Sequence, residues 1–331
     1  MRISRPKLVI SAAALLGLLA VAFSPQLGAH VRNALAALSG ADQRWLAVGA
    51  AGFGCSFLCT VAAWRAALVA AGGRICPVQA AARIGVGSLV NSFAPARLGD
   101  AVKVALCARA IEGPGRIWTT GGVYAGLAAA RCLTLAALLV VASATGAMPL
   151  WPVFALCAGV GALALVARGS GRLRNHPRIA QVLGAFASLE RSPRAIAVIL
   201  GWTVAMVVAR LGATMAAATA LGLPHPVLAA LLILPALDVA AAFPITPGSL
   251  GVGSGAVAVA LASRGIGMTQ ALGVGFAIQA LETFVSIVAG TLGGAYLLQP
   301  SPAIRRWALR TATIGAAVAM AAVLGVVLDL I

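Results

Sequence analysis

Seven apolar stretches, each near the roughly 20 residues a helix needs to cross a bilayer core, dominate this chain. They fall at about 8–27, 45–70, 118–143, 148–167, 195–221, 268–298 and 306–328. Hydrophobic residues make up 61% of the chain, charged residues only 9%, and the mean hydropathy is +1.02. A water-soluble domain carries about 25% charged residues, so this chain lacks the polar surface to cover itself in water. The expected fold class is all-α: a polytopic membrane protein, residues 1–331 forming a single integral membrane domain. Met1 to Phe23 has the basic start and apolar run of a signal peptide, but among so many apolar runs it reads as a retained first span.

Two further stretches are apolar but interrupted. One, from Val78 to Ala110, contains Asn91, Pro95, Arg97, Gly99 and Asp100. The other, from Val227 to Ser263, contains Pro235, Asp238, Pro244, Thr246, Pro247 and Gly248. Proline removes a backbone donor and clashes with the preceding turn, so neither stretch is expected to form one continuous helix. Irregular backbone at membrane depth persists only where protein or a wet cavity satisfies its polar groups. Both stretches therefore read as re-entrant helical hairpins.

The basic residues fit that topology. With the N-terminus cytoplasmic, 18 of the 24 Lys and Arg residues fall on the inside, Arg83 and Lys103 among them, and 3 on the outside. The remaining three are the intramembrane Arg131, Arg210 and, in the first broken stretch, Arg97. This bias follows the positive-inside rule and places the C-terminus outside. It also accounts for the net charge of +17 without nucleic acid as a partner. The order span, span, hairpin, span then occurs twice, in units of about 8–143 and 148–298, with 306–328 as an extra C-terminal helix. Each unit crosses three times, so the second is inverted relative to the first, an architecture found in transporters.

Charged groups at bilayer depth are expensive and default to functional candidates. Arg97, Asp100, Arg131, Arg210, Asp238 and Glu282 meet that description, joined by Asn91, Thr246 and Gly248 in the broken stretches. Arg97 offers a planar donor fork suited to a phosphate. Asp100 pairs with Arg97, holds the next helix N-terminus, or takes a proton. Pairing of Arg131 or Arg210 with Glu282 or Asp238 would neutralise both partners. The helix restarting after Pro247 would point free N–H groups inward, as anion sites do. The plainer readings are a self-satisfied salt bridge and tight packing turns. Gly122/Gly126, Gly251/Gly255 and Gly290/Gly294 have the spacing of close helix contacts. Trp45, Trp64, Trp118, Trp151 and Trp307 fall near segment ends, as interfacial aromatics do. The six cysteines and three histidines form no metal or disulfide pattern, and no cofactor is expected.

The segments Asn91-x-Phe-x-Pro-x-Arg-x-Gly-Asp100 and Pro244-x-Thr-Pro-Gly-x-Leu-Gly251 resemble the transmembrane domain of lysylphosphatidylglycerol synthase/flippase proteins. The resemblance runs over about residues 5–328 and is to a stand-alone member without the aminoacyltransferase domain. It implies movement of lipids, or of lipid-linked molecules, between leaflets, and no enzymatic activity. Two positions depart from the family, which often has Gly at Ser249 and Glu at Ser254. The expected function is flippase-like translocation of a phospholipid or lipid-linked anionic molecule across the cytoplasmic membrane. The alternatives are a small-solute or ion-coupled secondary transporter and a membrane scaffold in envelope lipid or glycan assembly. Expected partners are membrane lipids with anionic headgroups, with a homo-oligomer or an envelope-synthesis enzyme as further candidates.

Overall fold

The computed structural model describes residues 40–94, 97–113, 115–149, 192–241 and 250–298, with scattered helical positions between 152 and 161. The spans expected at 8–27 and 306–328, and most of 148–167, lie outside the described residues. So do Pro95, Thr246, Pro247 and Gly248. Every regular element among the described residues is helical, in keeping with the expected class.

The helices are α1 (Gln43–Ala70), α2 (Pro77–Phe93), α3 (Leu98–Cys107), α4 (Arg116–Ala144), α5 (Pro193–Ala220), α6 (Pro226–Ala241), α7 (Leu250–Ala262) and α8 (Met268–Leu298). Four of them, α1, α4, α5 and α8, are long and apolar enough to cross a bilayer. The other four are shorter. Their order is long, short, short, long, repeated, with lengths of 28, 17, 10 and 29 residues and then 28, 16, 13 and 31.

Local sequence explains the boundaries. Asp42 caps α1 by accepting from the Arg44 N–H at 2.9 Å, and Ser192 caps α5 by accepting from Ala195 at 3.3 Å. Pro77 and Pro193 occupy first-turn positions, where a missing donor does no harm. Helices α1 and α5 also end alike. Gly72 (φ +86°) and Gly222 (φ +66°) take the left-handed turn, and the next residues donate back to Leu68 and Ala218.

Small residues set the packing. The Asp42 N–H reaches the Ala220 carbonyl at 3.0 Å, so the start of α1 meets the end of α5. Further along, Gly49 and Gly52 lie against Ala213. The corresponding long helices of the two halves therefore run antiparallel. Helix α2 presses on α8, where Gly85 faces Ala289 and Gly293 faces Ala82. Gly290 makes the close contact expected of it, against Leu89. Gly255 does not, since open space surrounds it; on α7 the close approaches belong instead to Gly253, beneath Gln279, and to Ser254, beneath Gly275.

Two large apolar cores result, with a smaller one around Leu138, Leu231 and Leu234 where α4 meets α6. One joins α1, α2 and α4 around Trp64, Leu68, Ile84 and Val123. The other joins α5 through α8 around Ile233, Val257, Leu261 and Ile278. Trp64 is thus a core residue, 5% exposed and 6.0 Å from the Tyr124 ring, rather than an interfacial anchor. Trp118, in the first turn of α4, remains exposed as expected. Leu133, Val140, Val208, Val259 and Phe284 turn large apolar surface outward, as suits helices in lipid. Cys59 packs inside, whereas its i,i+4 neighbour Cys55 is exposed.

Candidate functional site

Two polar networks lie inside the bundle, and a lone arginine stands between them. The first network centres on Asp100, in the opening turn of α3. Its Oδ1 accepts from Asn91 Nδ2 at 2.8 Å and Lys103 Nζ at 3.0 Å, and its Oδ2 accepts from the Tyr124 hydroxyl at 2.9 Å. Helices α2, α3 and α4 are tied together through this one carboxylate. The geometry needs Gly87 and Gly99, because a Cβ on either would strike the facing helix backbone or Asn91. The Oδ1 of Asn91 is buried without a hydrogen-bond partner among the described residues.

Lys103 is therefore no loop cation. It sits one turn beyond Asp100 on α3, with its side chain only 12% exposed. A lysine in that position is retained where a carboxylate neutralises it, and here it displaces Arg97 as the partner of Asp100. Arg97 itself caps α3 from a left-handed conformation (φ 53°) that a side chain adopts at a penalty. Its guanidinium donates to the main-chain carbonyl of Ala241, the last residue of α6. The end of the first broken stretch is thereby linked to the second.

The second network centres on Arg210 of α5. Its Nη1 donates to Asp238 Oδ1 of α6 at 2.6 Å. Its Nη2 and Nε both donate to Glu282 Oε1 of α8, at 2.8 and 3.1 Å. The expected pairing of Arg210 is thus realised twice over. Asp238 Oδ2 and Glu282 Oε2 accept no hydrogen bond among the described residues, and both carboxylates keep partial exposure, 28% and 33%.

Arg131 of α4 takes neither carboxylate. Among the described residues its one hydrogen bond is to the Met206 sulfur, a weak acceptor, at 3.4 Å. Its electrostatic neighbours come from both networks: Asp100 and Tyr124 of the first, Arg210 and Asp238 of the second. The residue keeps exposed surface, and its contact with Met206 is part-buried.

Of the residues singled out from sequence, the structure brings Asn91 to Asp100, Arg210 to Asp238 and Glu282, and Arg131 between the two groups. Thr246 and Gly248 lie outside the described residues. Sequence reasoning missed Lys103, Tyr124 and Met206. The i,i+3 spacing of Lys103 from Asp100 was a usable signal; nothing in the sequence marked the other two. A groove of about 470 Å³ between α1, α2 and α5 is apolar apart from Arg65 and includes none of these residues. No group of metal-binding side chains occurs among the described residues.

Long apolar helices around interior ion pairs define a multi-pass membrane protein. Residues 7–290 match the family described as the lysylphosphatidylglycerol synthase TM region, and the chain belongs to that family. The family points to a membrane protein in lipid handling. No curated protein matches the chain.

Proposed function

We propose that this protein moves a phospholipid, or a lipid-linked anionic molecule, between the leaflets of the cytoplasmic membrane without making or breaking covalent bonds. The observation that carries this reading is Arg131: a cation among apolar helices, with exposed surface and without a hydrogen-bonded carboxylate among the described residues. A guanidinium there is electrostatically suited to a phosphodiester, whose acyl chains remain in the surrounding lipid. Arg97, at the junction of the two broken stretches, supplies a second cation.

In this reading α2–α3 and α6–α7 are re-entrant hairpins of an inverted repeat. The antiparallel course of α1 and α5 supports the inversion, and the Arg97–Ala241 contact supports a meeting of the two hairpins. The N-terminus is cytoplasmic and the C-terminus outside, which rests on the distribution of basic residues.

Reconstitution tests it. Proteoliposomes containing fluorescent phosphatidylglycerol in both leaflets are treated with an impermeant quencher. Protein is expected to carry inner-leaflet probe into reach of the quencher, and Arg131→Gln to slow that phase several-fold. A protected fraction identical to that of empty liposomes would end the proposal.

A further inference from the structure

The charges inside the bundle do not balance site by site. Lys103 and Asp100 neutralise each other. Arg210 holds two carboxylates and can neutralise only one, leaving one excess negative charge on the α5–α6–α8 network. Arg131 carries one positive charge that no carboxylate holds among the described residues, and it reaches Met206, one helical turn from Arg210 on α5. Without a bound headgroup, these two excesses offset each other through space. When a phosphodiester monoanion pairs with Arg131 that offset is lost, and the Asp238–Glu282 pair is left one charge too negative at a partly buried site.

We propose that binding of a phosphodiester headgroup at Arg131 draws one proton onto the Asp238–Glu282 pair, so that the lipid moves together with a proton. This rests on the lipid-translocation reading. The free carboxylate oxygens, Asp238 Oδ2 and Glu282 Oε2, are positioned to receive the proton, because neither accepts a hydrogen bond among the described residues and both side chains keep solvent access. The proton leaves water on one side of the membrane and forms an O–H bond on one of those oxygens. It returns to water on the other side once the headgroup has left and Arg131 again offsets the pair. No bond in the lipid changes, and the loaded site carries the same net charge as the empty one.

The other groups near the pair do not replace it as proton acceptor. Helix α3 brings Asp100 and Lys103, already paired; α4 brings Arg131 and Tyr124, the latter donating to Asp100; α5 brings Arg210. Arg97 donates to the end of α6. Helix α2, packed on α8, brings Arg83, whose electrostatic neighbours are Cys76, Cys107, Arg109 and Tyr296 rather than Glu282. Helix α7 carries no charged residue, and those of α1, Arg44 and Arg65, lie toward its ends.

Proton uptake on binding is measured directly on the full-length protein in detergent. Short-chain phosphatidylglycerol is titrated in weakly buffered solution containing a pH indicator. Up to one proton is expected to be taken up per lipid bound, and affinity is expected to tighten as pH falls, by at most about tenfold per pH unit. Glu282→Gln and Asp238→Asn, each removing the excess negative charge, are expected to bind lipid with no uptake and little pH dependence. Wild-type binding without uptake, undiminished uptake in both variants, or no lipid binding at all would overturn the coupling. Lipid movement in proteoliposomes is scored separately. Movement without uptake sinks the coupling and leaves translocation standing; uptake without movement supports the coupling and sinks translocation.

Discussion

Arg97 donates to the carbonyl of Ala241 across a sequence separation of 144 residues. The arginine holds a left-handed backbone conformation to do so, which stores roughly 1 kcal/mol or more of strain. Strain of this kind persists where the surroundings over-determine it, often at sites that work. The contact joins the point where α3 starts to the point where α6 stops, so the two interrupted segments meet through one side chain.

That strain separates two substitutions at the same position. Arg97→Ala removes the donor and keeps the strained backbone, whereas Arg97→Gly removes both. The glycine variant is expected to equal or exceed the alanine variant in thermal midpoint in detergent, despite glycine's larger unfolded-state entropy. A glycine variant that melts clearly below the alanine variant would show that the left-handed conformation is not the dominant penalty.

The Asp100 network gives a graded series. Asp100→Asn leaves the Lys103 ammonium, only 12% exposed, without a counter-charge. Removing one member of a buried pair costs about 3–5 kcal/mol. Tyr124→Phe deletes one hydrogen bond to a charged acceptor, worth about 1.5–3 kcal/mol. The double variant Asp100→Asn, Lys103→Gln is expected to recover part of the first loss. Unfolding midpoints of Asp100→Asn, Lys103→Gln and their double, read as a double-mutant cycle, check the coupling; strict additivity would remove the ion pair from the account.

Glycines on α7 and α8 test the packing. A Cβ at Gly255 meets nothing within 4 Å, so Gly255→Ala is expected to be neutral or to stabilise by up to about 1 kcal/mol through helix propensity. A Cβ at Gly275 would lie 2.8 Å from the Ser254 backbone, which cannot step aside. Gly275→Ala is expected to destabilise by about 1–3 kcal/mol. Gly253→Ala meets only the end of the Gln279 side chain and the Leu237 methyl, and falls between. Thermal unfolding that ranks the three in any other order would refute the α7–α8 contact.

Much of this was legible before any coordinates. Hydropathy located the four long helices to within about two residues at either end, because crossing a bilayer imposes length and apolarity together. Proline and glycine located the interruption at 94–97, because they act on local backbone. Partner choice was not legible. Arg97, Lys103 and Tyr124 all compete for Asp100, and the winner depends on helix packing that Gly87 and Gly99 permit. Trp64 shows the same limit: its place near a segment end suggested the membrane interface, yet α2 and α4 close over it. The spacing of Gly251 and Gly255 suggested a seam, but the contact face of α7 is one carrying Gly253 and Ser254.

The two arginines of α4 and α5 should respond in opposite ways to the same change. Arg210→Met would leave Asp238 and Glu282 close together with no cation between them, a loss of several kcal/mol. Its yield and midpoint are expected to fall sharply and to recover when Asp238→Asn and Glu282→Gln are added. Arg131→Met removes a charge that no carboxylate holds at bonding distance among the described residues. It fills the same space with an apolar chain beside Met206, and the Asp238–Glu282 pair it leaves unbalanced takes up the proton that headgroup binding would otherwise draw, so stability is expected to hold or rise while transport of phosphatidylglycerol falls. A residue kept at some expense to stability points to use, and that trade is common at functional sites. If Arg131→Met lowers the midpoint as far as Arg210→Met does, Arg131 is a structural member of the ion network and the headgroup role passes to another side chain.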